Sequence, residues 1–142
     1  MIDQTILDNP FTVSFGENAI APAVESVSGL GAAEGWGRWN NDPRVVIRFV
    51  RNLPASFEAH IACAVTSANV GRVITVLAGG CCRKFVSIRT LRQGLEVVKI
   101  RFQNAKPART LEILIPDAEP GGIVDPRPLG LALASVSIVP NA

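Results

Sequence analysis

The run FEAHIACAVT, residues 57–66, shows the clearest strand pattern in the sequence. Its larger apolar side chains alternate with small or polar ones, and this period of two predicts a β-strand with one buried face. His60 and Glu58 share the opposite face, so we expect both at the surface. The predicted inward set is Phe57, Ala59, Ile61, Cys63 and Val65.

Similar runs flank this strand on both sides and are separated by turn residues. The chain holds 28 Val and Ile against 11 Leu, with 12 Gly and 10 Pro, which is typical of short strands and turns. The pattern predicts an all-β fold of about nine or ten short strands, a single β-sandwich with jelly-roll-like wiring. The further strands are expected over 11–15, 27–30, 45–50, 72–78, 81–88, 95–102, 110–115 and 129–139.

The length of 142 residues suits one domain, with an N-terminal arm over residues 1–10 and the sandwich over 11–142. Hydrophobic residues make up 48% of the chain, which excludes a disordered protein. No run approaches the roughly 18 apolar residues of a membrane helix, so we predict no membrane-spanning segment. The first residues lack a secretory signal. We therefore expect a cytoplasmic protein, or an envelope-associated or periplasmic one if the sequence is part of a longer chain.

The net charge of +2 is too small to indicate a nucleic-acid partner, but the charge is unevenly distributed. Between Arg83 and Arg109 the sequence has eight Lys or Arg and one acid, Glu96. If these side chains share a sheet face, their field favours an anionic partner such as an acidic glycan or a lipid head group. A solvated basic strand face is the other interpretation.

Catalytic and metal-binding patterns are missing from the sequence. A single histidine, His60, has no nucleophile partner, and no pair of acids stands out as a general acid and base. Three cysteines form no disulfide or metal framework; Cys63 fits a buried strand position, and Cys81 and Cys82 are adjacent. We therefore predict no catalytic residues, no metal, no cofactor and no enzymatic activity in this chain.

Two clusters carry what functional information there is. In Glu34-Gly-Trp36-Gly-Arg38-Trp39-Asn40, an exposed indole can stack on a sugar ring while Arg or Asn binds hydroxyls. The alternative is that the tryptophans plug the end of the sandwich and shield its edge. In Asp125-Pro-Arg127-Pro, two prolines hold a guanidinium that can clamp a carboxylate or phosphate, or else pair internally with Glu34 or Asp125. The candidate ligand-binding residues are Trp36, Arg38, Trp39, Asp125 and Arg127.

These clusters, together with Leu53-Pro-x-x-Phe57, Asn69-x-Gly71 and Ile115-Pro116, resemble the C-terminal β-sandwich domain of bacterial phosphoglycerol transferases. Similar domains are appended to bacterial sugar transferases. The resemblance spans roughly residues 27–139 and implies a non-catalytic accessory domain in envelope saccharide or glycolipid assembly. It implies a partner catalytic transferase domain, because the transferase chemistry itself is absent from this chain.

Two functional hypotheses follow. The first is a module that binds a saccharide or glycolipid, with Trp36 stacking and Arg38 and Arg127 donating hydrogen bonds. The second is a structural or interaction domain that packs on a partner transferase, or forms a homodimer, without binding sugar. An exposed apolar patch would favour the second hypothesis over the first.

Overall fold

The computed structural model describes residues 10–17, 21–66, 69–79, 82–89, 94–103, 108–116, 119–120 and 128–141. Apart from Pro10, the predicted N-terminal arm lies outside these ranges. The described residues contain no α-helix, and therefore no helix long and apolar enough to cross a membrane. They form twelve strands: β1 (Phe11–Ser14), β2 (Val24–Ser28), β3 (Arg38–Trp39), β4 (Arg44–Phe49), β5 (Ser56–Val65), β6 (Val73–Ala78), β7 (Cys82–Ser87), β8 (Glu96–Gln103), β9 (Thr110–Leu114), β10 (Glu119–Pro120), β11 (Pro128–Leu129) and β12 (Leu131–Pro140).

The strands build two antiparallel sheets and one short extra pair. The first sheet has the order β1-β12-β5-β8, and β3 pairs with β12 beside β1. The second sheet has the order β2-β4-β9-β6-β7, while β10 pairs with β11. The all-β sandwich predicted from the sequence is confirmed.

The wiring of the eight principal strands is that of a jelly roll. The eight principal strands are those that remain when β2, β3, β10 and β11 are left out of the count. Among these eight, the first pairs with the eighth (β1 with β12) and the second with the seventh (β4 with β9). The third strand pairs with the sixth (β5 with β8), and the fourth with the fifth (β6 with β7). The chain is therefore one long antiparallel ribbon folded over itself, and the pairs β12–β5 and β9–β6 complete the two sheets.

One hydrophobic core lies between the two sheets. The inward set predicted on β5 is fully part of it, because every member from Phe57 to Val65 is buried. Phe57 stacks on Phe102 of β8 with ring centroids 5.2 Å apart, and both rings are completely buried. Burying one such side chain contributes roughly 1.5–3 kcal/mol, so burial of this inward face stabilises the sandwich.

The structure differs from the sequence prediction at the ends of some strands. The second strand runs over Val24–Ser28, earlier in the chain than residues 27–30, and a bulge at Glu25 interrupts its pairing with β4. The last strand divides at Gly130 into β11 and β12. Ala134 is skipped in the pairing of β12 with β5, and its carbonyl accepts a hydrogen bond from the Phe15 amide instead (3.0 Å).

Candidate functional site

The outer face of the first sheet, which points away from the core, is lined mainly by short side chains. Strand register aligns Thr12, Ser137, His60 and Lys99 in one row across β1, β12, β5 and β8. The next row holds Ser14, Ser135, Ala62 and Val97. The Thr12 and Ser137 hydroxyls hydrogen-bond to each other at 2.7 Å. We call these two rows the hydroxyl rows.

Trp39 lies at one end of this outer face. Its backbone pairs with Ala132 of β12, and its indole covers Ala64 and Ala132 in a small cluster separate from the main core. Only 7% of Trp39 is exposed. Trp39 is therefore a buried support of the outer face, packed outside the core between the sheets, and it offers little surface to a ligand.

Trp36 packs against Trp39 and is the accessible indole of the pair. The two ring centroids are 5.6 Å apart with an interplanar angle of 77°, an edge-to-face arrangement that aromatic pairs prefer. Trp36 remains 39% exposed. The chain bends at Gly35 and Trp36, so the two indoles meet on one side rather than pointing to opposite faces as a straight strand would place them.

Backbone contacts hold the Trp36 loop in place. The Gly35 amide donates to the Gly16 carbonyl (3.1 Å), and the Glu34 amide donates to the Gly37 carbonyl (2.9 Å). A Cβ on Gly37 would collide with the carbonyl oxygen of Leu133, so glycine is required for β3 to approach β12 this closely. The position of the Trp36 indole is thus set by the scaffold before any ligand binds.

Arg38 supports the scaffold through hydrogen bonds to backbone carbonyls. Its Nε donates to the Phe15 carbonyl at 3.1 Å, and its Nη2 donates to the Glu17 carbonyl at 2.8 Å. These bonds tie β3 to the segment that follows β1. The guanidinium is engaged with backbone, so among the candidates from the sequence it is a positioning residue for the loop. Asp125 and Arg127 lie outside the described residues.

Asn40, the last residue of the tryptophan cluster, is a buried polar residue that was not among the five candidate ligand-binding residues. Its Oδ1 accepts hydrogen bonds from the amides of Gly130 (2.9 Å) and Leu131 (2.7 Å), and its Nδ2 donates to the Asp42 carbonyl (3.1 Å). The side chain therefore fastens the end of the Trp cluster to the start of β12. The signal in the sequence is the Asn-Asn-Asp-Pro run, which indicates side-chain-to-backbone bonding.

The opposite end of the outer face is charged. His60 Nε2 lies 2.9 Å from Glu58 Oε1, and the pair is half-buried on β5, as predicted for the outward side of this strand. Arg101 and Lys99 of β8 stand opposite Glu58 and His60. The hydrogen bond from His60 lowers the pKa of Glu58, and the charges of His60, Arg101 and Lys99 act in the same direction.

Cys63 is unsuited to nucleophilic chemistry. It is fully buried, its Sγ contacts the Ile61 carbonyl (3.7 Å), and burial, with a smaller effect of Glu96, raises the pKa of its thiol to about 12. Within the described ranges, no group of three or more His, Cys, Asp or Glu is arranged to hold a metal ion.

A family model described as a domain of unknown function, DUF7024, matches residues 3–140. No curated protein matches the sequence. The family description names no ligand or activity, so the resemblance to the accessory domain of phosphoglycerol transferases stays a prediction. Because the match covers almost the whole chain, the protein belongs to the DUF7024 family.

Proposed function

We propose that this domain is a non-catalytic saccharide-binding module and that Trp36 is its stacking platform. The observation that carries the proposal is the exposed Trp36 indole fixed edge-to-face on the buried Trp39. An aromatic surface that is held in place before binding loses little conformational entropy when a ligand stacks on it. The C–H-rich face of a sugar ring is a fitting partner for such a surface.

The hydroxyl rows supply the polar contacts that a saccharide needs. Thr12 and Ser14 are exposed and Ser135 and Ser137 are half-buried, so their hydroxyls can both donate and accept hydrogen bonds. Short side chains such as Ala62 leave space for a ligand to lie against the sheet. A ligand that stacks on Trp36 would thus extend from the β3 end of the face towards β5.

The resemblance noted in the sequence supports an accessory role for this module. In that role the domain holds a saccharide or glycolipid of the bacterial envelope for a partner catalytic transferase domain. Lys99 and Arg101 at the far end of the face would favour saccharides that carry negative charge.

The test is a titration of the protein with linear and cyclic glucan oligosaccharides, neutral and phosphoglycerol-substituted, followed by NMR. Trp36→Ala should abolish the binding seen with the wild-type chain. Phe85→Ala is the matched control, because Phe85 is an exposed aromatic residue on the second sheet and should be dispensable. The proposal would be refuted if the two variants lost glycan binding equally, or if no glycan in a broad array shifted any NMR signal of the wild-type chain.

A second candidate function is an interaction domain, and one observation favours it. On the outer face of the second sheet, Phe85 is 64% exposed and Val73 is 54% exposed, on adjacent strands. Exposed apolar residues grouped in this way are typical of protein contacts. If the domain forms a homodimer through them, analytical ultracentrifugation will detect dimers in the wild-type chain that Phe85→Ser converts to monomers. A wild-type chain that stays monomeric at all concentrations would count against self-association.

A further inference from the structure

The edge of the sandwich between β7 and β8 is open and carries a cleft, of which the saccharide proposal uses only Arg101. Among the described strands, β7 pairs with β6 alone and β8 pairs with β5 alone, so each is the last strand of its sheet. Between them lies a cleft of about 490 Å³, lined by Arg83, Lys84, Arg101 and Gln103.

The cleft is positively charged. Among the described residues that line it, Arg83, Lys84 and Arg101 are cations, Gln103 is a neutral amide, and all four are exposed. Within the described ranges, none of the three cations forms a salt bridge with a carboxylate. The nearest acids in the register form ion pairs with other residues: Glu58, which stands opposite Arg101 and interacts with its charge, pairs with His60 at 2.9 Å, and Glu112 pairs with Arg44 at 3.1 Å.

Protection of an open sheet edge is the simplest alternative explanation for these charges. Edge strands often carry Lys or other charged residues that prevent pairing with another chain. A charge at any position along the edge would protect it from pairing with another chain, however. Edge protection therefore does not explain why cations from two different sheets line one cleft together with an amide donor. Like charges gathered in one place repel one another, and a bound anion relieves that repulsion.

We propose that this cleft binds a phosphate ester. A guanidinium can donate two parallel hydrogen bonds to phosphate oxygens. The cleft has two guanidinium groups, those of Arg83 and Arg101. Lys84 adds a compact positive charge, and the Gln103 amide adds a further donor. The volume of the cleft exceeds that of a bare ion, so the ligand is a phosphate carried on a larger group such as a sugar or a lipid head group.

The cleft and the Trp36 platform share no residue, and they lie at opposite edges of the first sheet. Each proposal can therefore fail without the other. A phosphorylated saccharide that occupied both sites would combine stacking with charge recognition, but binding of phosphate at the cleft does not require it.

The test is an NMR titration of the intact chain with glucose 6-phosphate, with glucose as the neutral control. Wild-type protein should bind glucose 6-phosphate, with shifts at residues 83, 84, 101 and 103, and binding should weaken as salt is added. The double variant Arg83→Gln/Lys84→Gln should bind at least tenfold more weakly. Arg48→Gln/Arg51→Gln removes the same charge from exposed residues elsewhere and should bind like the wild type, as should Trp36→Ala.

A second arm separates the two sources of phosphate ester. Sedimentation with phosphatidylcholine vesicles, with and without phosphatidylglycerol, measures binding to lipid head groups. Binding of glucose 6-phosphate supports a glycan source, and binding only to phosphatidylglycerol vesicles, lost in Arg83→Gln/Lys84→Gln, supports a lipid source. The proposal would be overturned if the protein bound neither glucose 6-phosphate nor phosphatidylglycerol vesicles, or if the two double variants weakened binding equally.

Discussion

At the scale of single residues, the Trp36 platform depends on buried groups that never meet a ligand. Trp39 orients Trp36, Arg38 binds two backbone carbonyls, and Asn40 fastens the cluster to β12. The sequence marked the two tryptophans and Arg38 as candidates for a site. The sequence could not show which of these residues would contact a ligand and which would support it, because that difference depends on the bend at Gly35 and Trp36.

A substitution at Asn40 tests most directly whether these buried residues hold the tryptophan cluster on β12. Asn40→Ala leaves the buried amides of Gly130 and Leu131 without their acceptor, and each unpaired buried donor costs about 1–3 kcal/mol. We expect the free energy of unfolding in urea to fall by at least about 2 kcal/mol. Asn41→Ala is the matched control, because the neighbouring side chain is exposed and its loss should cost less than about 0.5 kcal/mol. Equal effects of the two changes would contradict the role given to Asn40.

Cys63 allows a second prediction at this scale. Burial raises its pKa from 9.0 to about 12, so the folded thiol stays protonated where the unfolded thiol ionises. The unfolded state then binds fewer protons, and stability should fall as the pH rises from about 9 towards 12. In a chain carrying Cys81→Ser and Cys82→Ser, iodoacetamide at pH 8 should label native Cys63 far more slowly than urea-unfolded protein, because the native thiol is both buried and protonated. Similar rates in the two states would show that the thiol is accessible.

At the scale of elements, β12 organises the first sheet, because it pairs with β1, β3 and β5. Val136 and Ile138 alternate with Ser135 and Ser137 along the strand. One face of β12 therefore packs in the core, and the other contributes its serines to the hydroxyl rows. This strand and β5 could be predicted from period-two patterns alone. The two-residue strand β3 could not, since it is too short to show a period and exists only because β12 offers it a partner.

The position of a strand in its sheet should determine how fast its amides exchange with solvent. β5 and β12 are ten-residue strands flanked by partners, whereas β7 is an edge strand with one partner. Hydrogen exchange followed by NMR should therefore find the slowest amides in β5 and β12 and faster ones in β7. Exchange in β7 as slow as that in β5 would mean that its open edge is covered, for example by a second copy of the chain.

At the scale of the whole molecule, the fold was more predictable than the site. Repeated alternating runs such as 57–66 predicted the sandwich, and the jelly-roll wiring followed because few topologies suit that number of strands. The hydroxyl rows were not predicted, because they join Thr12, Ser137 and His60 from distant parts of the sequence. The basic stretch between Arg83 and Arg109 was noticed in the sequence, but the meeting of Arg83, Lys84 and Arg101 at one cleft depends on β7 and β8 being edge strands of different sheets.

The central functional claim is that a saccharide stacks on Trp36 and lies along the outer face of the first sheet. The most direct measurement is the NMR signal of the Trp36 indole N–H, followed during titration with glucan oligosaccharides. We predict a saturable shift of this signal together with the amides of Ser14 and Ser135, while the Trp39 indole changes less. Saturable shifts confined to the second sheet, with the Trp36 indole unchanged, would contradict the account.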